Sequence, residues 1–203
     1  MSSGVTNTGR RKFLTAATSV VGAAGVVGVA VPFVGSWNPS AKAKAAGAPV
    51  KFDFSKIEPG QLVRVEWRGK PVFVVRRTQA QIDALPSITE KLKDPDSANL
   101  NQQPTYVDAT RAIKDEYLVL VGLCTHLGCS PKYLTKLDPA APDADWEGGF
   151  FCACHGSKFD MAGRVYKGSP ASDNLVVPPY SYESDSVMVL SLIHISEPTR
   201  QDR

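Results

Sequence analysis

The sequence predicts a mainly β protein that is tethered to a membrane by an N-terminal transmembrane helix and a flexible linker. Three observations lead to this prediction. An apolar run without any charged residue extends from Phe13 to Ala41. A stretch of small and polar residues, Asn38 to Pro49, follows it. Beyond that stretch lie alternating segments rich in β-branched residues, a pattern typical of strands. We therefore expect an antiparallel β-sandwich-like head that carries a small inserted subdomain.

The first 12 residues are interpreted as a cytoplasmic n-region. They end in Arg10, Arg11 and Lys12, directly before the apolar run. A twin arginine ahead of such a run is typical of a Tat-type export signal, which carries folded proteins across a membrane. An ordinary basic n-region is the alternative interpretation.

Residues 13–37 are predicted to be a retained transmembrane anchor. The segment from Leu14 to Val34 would span roughly 31 Å as a helix, enough to cross the hydrocarbon core. Trp37 is placed where an interfacial aromatic side chain would anchor the outer end. Ala41-Lys42-Ala43 also fits a cleavage site, so removal of the segment stays open at this point.

Residues 38–49 are predicted to be a linker, because they include no side chain suited to a hydrophobic core. Alanine and lysine are good helix formers, so a helical linker is the open alternative. The head is predicted over residues 50–190, with the inserted subdomain at about 122–172. Its strands are expected in four alternating segments: Leu62–Trp67, Pro71–Arg76, Tyr117–Leu123 and Val187–Leu190.

Two stretches of the head are predicted to lie at its surface. Thr78 to Leu92 has a weak helical pattern and is interpreted as a short surface helix. Ser130 to Glu147 is rich in Pro, Asp and Ala and is interpreted as a surface excursion. A short loop at Arg68-Gly69-Lys70 has the length and the glycine of a β-hairpin connection.

Two six-residue boxes, Cys124 to Cys129 and Cys152 to Ser157, contain all four cysteines and two of the three histidines. Such a concentration of thiols and imidazoles favours a metal site. Two structural disulfides are the usual alternative in an exported protein, but they would not explain both histidines. A zinc site is a second alternative, although zinc fingers space their ligands differently. His194 lies outside both boxes and is interpreted as a non-ligand.

The boxes, CTHLGC and CACHGS, resemble those of the Rieske iron–sulfur proteins at every fixed position of the family motifs. The resemblance implies one [2Fe–2S] cluster per chain, with two cysteines on one iron and two histidines on the other. The implied ligands are Cys124, His126, Cys152 and His155. The resemblance further implies a disulfide between Cys129 and Cys154 that ties the two loops together.

The resemblance also assigns roles around the cluster. Ser157 matches a serine that donates a hydrogen bond to a bridging sulfide, and Leu127 matches an apolar residue that shields the cluster. Gly168 and Pro170 belong to a stretch similar to the family's proline loop over the cluster. Many respiratory members have a tyrosine where this chain has Phe159, which implies a lower reduction potential here.

The chain as a whole resembles the iron–sulfur subunits of bacterial cytochrome bc complexes. This implies a catalytic subunit in which His155 takes a proton from quinol while the cluster accepts an electron, which then passes to a c-type cytochrome. The implied partners are cytochrome b, a c-type cytochrome, membrane lipid and a second copy of the complex. The implied location is the bacterial inner membrane, crossed once, with the head on the periplasmic side. The resemblance also implies that the linker, residues 38–49, is a hinge for the head.

Two rival functions stay open on sequence grounds. One is the small Rieske subunit of a periplasmic oxidase such as arsenite oxidase, and the other is a non-redox, metal-stabilised module. The net charge of +3 is small and partly due to the N-terminal segment, so it indicates no function. No nucleic-acid partner is expected. Residues 191–203 form an atypical tail that resembles no family ending, and no role is assigned to them.

Overall fold

The computed structural model describes residues 7–99 and 109–191. It divides into two units, residues 1–45 and residues 46–203, and each is described by itself. Residues 1–6 of the predicted n-region and residues 192–203 of the predicted tail, including His194, lie outside the described residues.

The first unit is dominated by one long helix, α1, Thr8–Gly35. The Asn7 side chain caps its start by accepting a hydrogen bond from the backbone N–H of Arg10 at 3.1 Å. At the helical rise per residue α1 is roughly 42 Å long, and it carries no charged residue from Phe13 to its end. It is therefore long and apolar enough to cross a membrane. The helix starts before the predicted anchor, because the Asn7 cap sets its first residue and the apolar run begins only at Phe13.

The predicted linker contains a short helix, α2, Ala41–Ala46. Ser40 initiates it, because its hydroxyl accepts from the Ala43 N–H at 3.1 Å and its carbonyl accepts from the Lys44 N–H at 2.9 Å. The alternative of a helical linker, which followed from its alanine and lysine content, therefore describes part of this segment.

The described part of the second unit is built from antiparallel strands. They are β1 Val50–Asp53, β2 Leu62–Trp67, β3 Lys70–Arg76, β4 Tyr117–Val121, β5 Lys132–Leu134, β6 Gly149–Cys152, β7 Ser157–Phe159, β8 Tyr180–Tyr182 and β9 Val187–Leu190. They form three sheets in the orders β1-β9-β8, β2-β3-β4 and β5-β6-β7. The prediction of a mainly β, antiparallel head is confirmed.

The β2–β3 connection is tighter than the predicted three-residue loop. Trp67 pairs with Lys70, which leaves only Arg68 and Gly69 in the turn. Both residues have positive φ, 53° and 70°, as a two-residue turn that follows the twist of the strands requires.

Strands β3 and β4 form the centre of the core. Val72 to Val75 and Leu118 to Leu120 are almost completely buried. They belong to one cluster with side chains from the β1-β9-β8 sheet, including Met188 and Leu190. The two sheets share a core, as in a sandwich, and β4 leads directly into the first cysteine box.

The two stretches predicted to lie at the surface are more deeply embedded than expected. Thr78 to Leu92 forms α3, Gln79–Asp83, and then a 3₁₀ helix, Leu85–Lys91. Leu85, Ile88 and Leu92 are at most 4% exposed, so this segment also covers part of the core. The prediction underestimated it because the three apolar positions are spread over two short helices of different pitch.

The predicted excursion from Ser130 to Glu147 is only partly superficial. It supplies β5, Lys132–Leu134, and the buried Trp146, whose indole N–H donates to the Leu134 carbonyl at 3.4 Å. Trp146 also stacks with Tyr166, and both belong to a second, smaller hydrophobic cluster. The prediction missed Leu134 and Trp146 because the rest of the stretch is polar.

Buried arginines hold the turn that follows β7, residues 160–164. Arg77 donates to the Met161 carbonyl at 3.1 Å, and Arg111 donates to the Ala162 carbonyl at 2.9 Å. Burial lowers the pKa of Arg111 to about 10, which still leaves it charged at neutral pH. The turn is thereby anchored to the core of the sandwich, and with it the strand that carries the end of the second box.

Candidate metal centre

The first cysteine box forms the loop between β4 and β5. The Cys124 N–H donates to the Cys129 carbonyl at 2.7 Å, and the Gly128 N–H donates back to the Cys124 carbonyl at 2.9 Å. Gly128 has a φ of 80°, a left-handed conformation that glycine adopts at no steric cost. The loop is therefore closed on itself, with His126 at its bend.

The second box forms the loop between β6 and β7 in a similar way. The Gly156 N–H donates to the Cys152 carbonyl at 2.9 Å, and Gly156 has a φ of 79°. In both loops the first cysteine thus accepts a hydrogen bond from a glycine four residues later. Two related turns present one thiol and one imidazole each.

The first cysteine of each box is buried and outside any disulfide. Cys124 is 3% exposed and Cys152 is 2% exposed. Burial raises the pKa of the Cys152 thiol, and its hydrogen bond with Cys124 adds to the rise. A bound metal cation would oppose this effect because it favours the thiolate.

The two histidines of the boxes lie against each other. Their ring centroids are 4.7 Å apart and the rings are nearly perpendicular. Nδ1 of His126 is buried and has no hydrogen-bond partner among the described residues. His155 is exposed. An unpaired nitrogen of this kind is unfavourable in a buried place unless a metal ion or another partner occupies it.

The second cysteines of the boxes join the loops. Cys129 and Cys154 form a disulfide with a Cα–Cα distance of 6.7 Å, and Cys154 is exposed. The Cys152 sulfur lies within 4.8 Å of both disulfide sulfurs. Because these two cysteines are already bonded to each other, they are not available as thiolate ligands.

The side chains present therefore fit a Rieske-type [2Fe–2S] cluster. Such a cluster needs two thiolates and two imidazoles on adjacent irons. The loops offer two buried thiols outside the disulfide, two neighbouring imidazoles and one orphaned ring nitrogen. A disulfide-only site would leave that nitrogen unexplained.

The stretch from Gly168 to Ala171 is attached directly to the second box. The Ala171 N–H donates to the Ser157 hydroxyl oxygen at 3.0 Å, and Ser157 is fully buried. Gly168, with a φ of 78°, makes the turn, and Pro170 is exposed. We call residues 168–171 the proline loop. The structure thus joins Ser157 to this loop, a contact that the sequence analysis did not predict.

Leu127 and Phe159 have opposite environments. Leu127 is 70% exposed beside His126, so an apolar side chain faces the solvent next to one of the two imidazoles. Phe159 is completely buried at the end of β7, where it pairs with Phe150 of β6. Phe159 is two residues after Ser157. Because this position is buried, the hydroxyl of a tyrosine placed there could bond only to a group inside the protein.

Two further residues link parts of the site to each other or to the rest of the head, and the sequence analysis did not identify them. The Thr125 hydroxyl donates to the Asp173 carbonyl at 2.6 Å, which links the first box to the segment after the proline loop. The Lys93 ammonium donates to two carbonyls of the proline loop. No local pattern could reveal these contacts, because each joins residues far apart in the sequence.

Gly149 at the start of β6 is needed for the close approach of β7. A Cβ atom at this position would lie 2.1 Å from the Phe159 carbonyl oxygen. We expect Gly149→Ala to lower the free energy of unfolding by about 1–3 kcal/mol or more, because backbone must move. Thermal denaturation of the cluster-loaded protein measures this.

Gly69→Ala is the matched control for that substitution. Gly69 also has a positive φ, but a Cβ there would meet nothing within 4 Å. Its cost is limited to backbone strain of about 1 kcal/mol. Equal destabilisation by the two substitutions would contradict the close-approach argument.

Comparison with known families gives two matches. Residues 1–40 match the family model described as "Ubiquitinol-cytochrome C reductase Fe-S subunit TAT signal". Residues 50–181 match the "Rieske [2Fe-2S] domain". Together these models cover most of the helical unit and most of the β unit.

Individual relatives agree with the family models. The ubiquinol–cytochrome c reductase iron–sulfur subunit of Allochromatium vinosum is 54% identical over 191 residues, covering 94% of this chain and 92% of that protein. The subunit of the same name from Blastochloris viridis is 47% identical over 175 residues, covering 85% and 87%. Among solved structures, a chain of a hyperthermophilic respiratory complex III has 24% identity and a TM-score of 0.46, covering 85% of this chain and 98% of that one.

Proposed function

This chain belongs to the Rieske iron–sulfur subunits of ubiquinol–cytochrome c reductase, and from that premise we propose how its residues oxidise quinol and pass on the electron. It is the redox subunit of that enzyme, and its cofactor is a [2Fe–2S] cluster. The proposal is carried by one observation, the pair of buried thiols beside two adjacent imidazoles at the tips of two joined loops.

The proposed ligands are Cys124 and Cys152 on one iron and His126 and His155 on the other. Burial of both thiols and the unpaired Nδ1 of His126 support this assignment. The disulfide between Cys129 and Cys154 would hold the loops at a fixed separation, which limits their reorganisation on electron transfer.

His155 is the proposed contact with quinol. Since its side chain is exposed, a ring nitrogen that is not bound to metal can accept a hydrogen bond from a quinol hydroxyl. The bound cluster supplies the one-electron acceptor. His155 would hold the proton taken from that hydroxyl and later release it to the aqueous phase outside the membrane.

Leu127 is the proposed apolar contact for the quinol ring or the pocket around it. We expect Leu127→Ala to weaken quinol-dependent turnover about tenfold, because a leucine that becomes buried in the complex loses its contacts, worth about 1.4 kcal/mol. Steady-state kinetics with varied quinol measure the loss in kcat/KM.

Leu137→Ala is the matched control. Leu137 is 91% exposed, and we place it in no part of the reaction. It should leave kcat/KM unchanged. An equal loss for both variants would show that the effect of Leu127→Ala is not local to the loop tips.

The proposed location is the bacterial inner membrane, with α1 crossing it once, the N-terminus in the cytoplasm and the head in the periplasm. The Tat family match and the three basic residues before the apolar run support this orientation. Cytochrome b, a c-type cytochrome, lipid and a second copy of the complex are the proposed neighbours. A protease added outside spheroplasts should cleave the head, and protection of the head would reverse the orientation.

Residues 38–49 are proposed to act as a hinge between the anchor and the head. Their composition and the short helix α2, in a segment that can also be extended, support a linker with two conformations. Cross-linking the segment to the membrane part of the complex should abolish turnover while the cluster stays intact. Undiminished turnover would rule the hinge out.

The reduction potential should depend on Phe159. We expect Phe159→Tyr to raise the midpoint potential, because a hydroxyl that donates to a ligand sulfur stabilises the reduced, more negative centre. Redox titration monitored by EPR measures the shift. Phe151→Tyr is the control, since Phe151 on β6 packs with the smaller hydrophobic cluster instead. A lower or unchanged midpoint in Phe159→Tyr would contradict the proposal.

The function itself is tested by adding quinol to membranes that contain the protein and following reduction of c-type cytochrome. The proposal predicts cytochrome reduction that quinol-site inhibitors block. Reduction of the cluster by another donor, with no response to quinol, would contradict the proposed quinol contact of His155.

A further inference from the structure

We propose that Lys93 is a positioning residue that sets the reduction potential by holding the proline loop against Ser157. This inference rests on the proposed function, because it takes the Ser157 hydroxyl as a hydrogen-bond donor to the cluster. Lys93 lies far from both boxes in the sequence and touches no proposed ligand.

The contacts of Lys93 form a clamp with two points of attachment. Its ammonium donates to the Ser169 carbonyl at 2.7 Å and to the Ala171 carbonyl at 2.7 Å. These two carbonyls flank Pro170, which has no N–H of its own to hold the loop. Hydrogen bonds from an ammonium group are stronger than neutral ones, so the clamp resists rotation of the segment between the two carbonyls.

The clamped segment carries the N–H that reaches Ser157. The Ala171 N–H donates to the Ser157 oxygen at 3.0 Å. The Ser169 hydroxyl adds a second tie, because it accepts from the Lys158 N–H at 3.1 Å. Lys93 and Ser157 thus both bind the backbone of Ala171, one at its carbonyl and the other at its N–H.

The orientation of the Ser157 hydroxyl follows from these contacts. Ser157 is completely buried, and its oxygen already accepts from Ala171. Among the described residues no acceptor takes the hydroxyl hydrogen, so that hydrogen is available to the centre held by the two boxes. If the clamp is lost, the Ala171 N–H moves, and the hydroxyl loses the contact that fixes its direction. A Ser157 hydroxyl that points less directly at the centre stabilises its reduced form less, which lowers the midpoint potential.

The backbone of Lys93 is held in place by neighbouring segments of the chain. Its N–H donates to the Val165 carbonyl at 2.9 Å, and the neighbouring Leu92, 1% exposed, forms a bridge with Tyr166. The Lys93 side chain itself is largely exposed. Substituting it removes the donor to carbonyls of the buried residues Ser169 and Ala171, so the melting temperature of each variant is measured beside its midpoint potential.

The experiment compares midpoint potentials of the full-length protein by EPR-monitored redox titration. Lys93→Met should lower the midpoint, and Lys93→Arg, which can still donate to both carbonyls, should restore most of it. Lys167→Met is the matched control for the loss of one positive charge. Lys167 directly precedes the proline loop, but its exposed side chain donates to the Glu90 carbonyl at 2.8 Å and not to a carbonyl of that loop. It should shift the midpoint less than Lys93→Met.

A double-mutant cycle with Ser157→Ala shows whether Lys93 acts through Ser157. If it does, adding Lys93→Met to Ser157→Ala should produce a much smaller further shift than Lys93→Met produces alone. Hydrogen–deuterium exchange of the peptide containing residues 168–175 should also be faster in Lys93→Met.

Two results would overturn the inference while leaving the proposed function intact. They are an unchanged midpoint in Lys93→Met and an equal shift in the presence and absence of Ser157. If the wild-type protein gave no EPR signal of a histidine-ligated cluster, the proposed function would fail first, and the role of Lys93 with it.

Discussion

His126→Ala and His155→Ala are each expected to abolish the iron–sulfur cluster. Each removes one of the two imidazoles that face each other at 4.7 Å, and described residues near them offer no replacement ligand of the same kind. One iron would be left with a single protein ligand. Iron and acid-labile sulfide per chain, together with the EPR signal, measure the loss.

The third histidine is the matched control. His194 lies outside both boxes and was predicted to be a non-ligand. His194→Ala should retain the full iron content and the full EPR signal. Retention of iron in His126→Ala or His155→Ala would contradict the ligand assignment, whereas its loss in His194→Ala would show that a ligand had been missed.

Asp160→Asn is expected to have the largest effect on stability among substitutions outside the ligands. Asp160 is completely buried and pairs with Arg164 at 2.7 Å, whose side chain is 2% exposed. It also accepts from the backbone N–H groups of Ala162 and Arg164 at 2.9 and 2.7 Å. The substitution would leave a buried guanidinium without its counter-charge, at a cost of roughly 3–5 kcal/mol.

Such a cost is a large part of the stability of an ordinary domain. We expect a fall in the melting temperature on the order of 10 °C, and the second box should lose order first because Asp160 directly follows β7. Melting of the visible circular dichroism of the cluster measures this.

Glu147→Gln is the control for a surface ion pair. Glu147 pairs with Lys136 at 2.6 Å, but the two side chains are 28% and 62% exposed. Exposed pairs of this kind contribute about 0–1 kcal/mol. If Asp160→Asn were as mild as Glu147→Gln, the buried pair would not hold the turn as proposed.

Four strands of the head, β2, β3, β4 and β9, could be predicted from the sequence because each carries a strong alternating or apolar pattern. Strand β9 is short but entirely apolar. Strands β1, β5, β7 and β8 are equally short and mix apolar with polar side chains, so no pattern stands out. Their pairing partners, and not their own composition, make them strands.

The loops of the site could be located from the sequence because each box is local and dense in metal-binding side chains. The contacts that support the boxes were not predictable in this way. Lys93 reaches carbonyls 76 and 78 residues away, and Thr125 reaches one 48 residues away. Lysine and threonine are common at surfaces, so their types alone indicate no role.

The buried arginines were missed for a related reason. Arginine is seldom fully buried, so the sequence gives no reason to place Arg77, Arg111 and Arg164 inside the head. Arg77 and Arg111 donate to carbonyls of the turn at residues 160–164, and Arg164 donates to the Leu85 carbonyl, contacts that only the folded chain assembles. The acidic partner Asp160, four residues before Arg164, is the one local signal that could have indicated it.

Low-temperature EPR of dithionite- or ascorbate-reduced membranes containing the full-length protein tests the central claim most directly. The ligand assignment predicts a rhombic signal whose average g lies below the free-electron value, as expected for a [2Fe–2S] centre with histidine ligands. It also predicts that the signal responds to quinol-site inhibitors. Reduced membranes without this signal, in which metal analysis of the purified protein finds zinc instead of iron, would contradict the account.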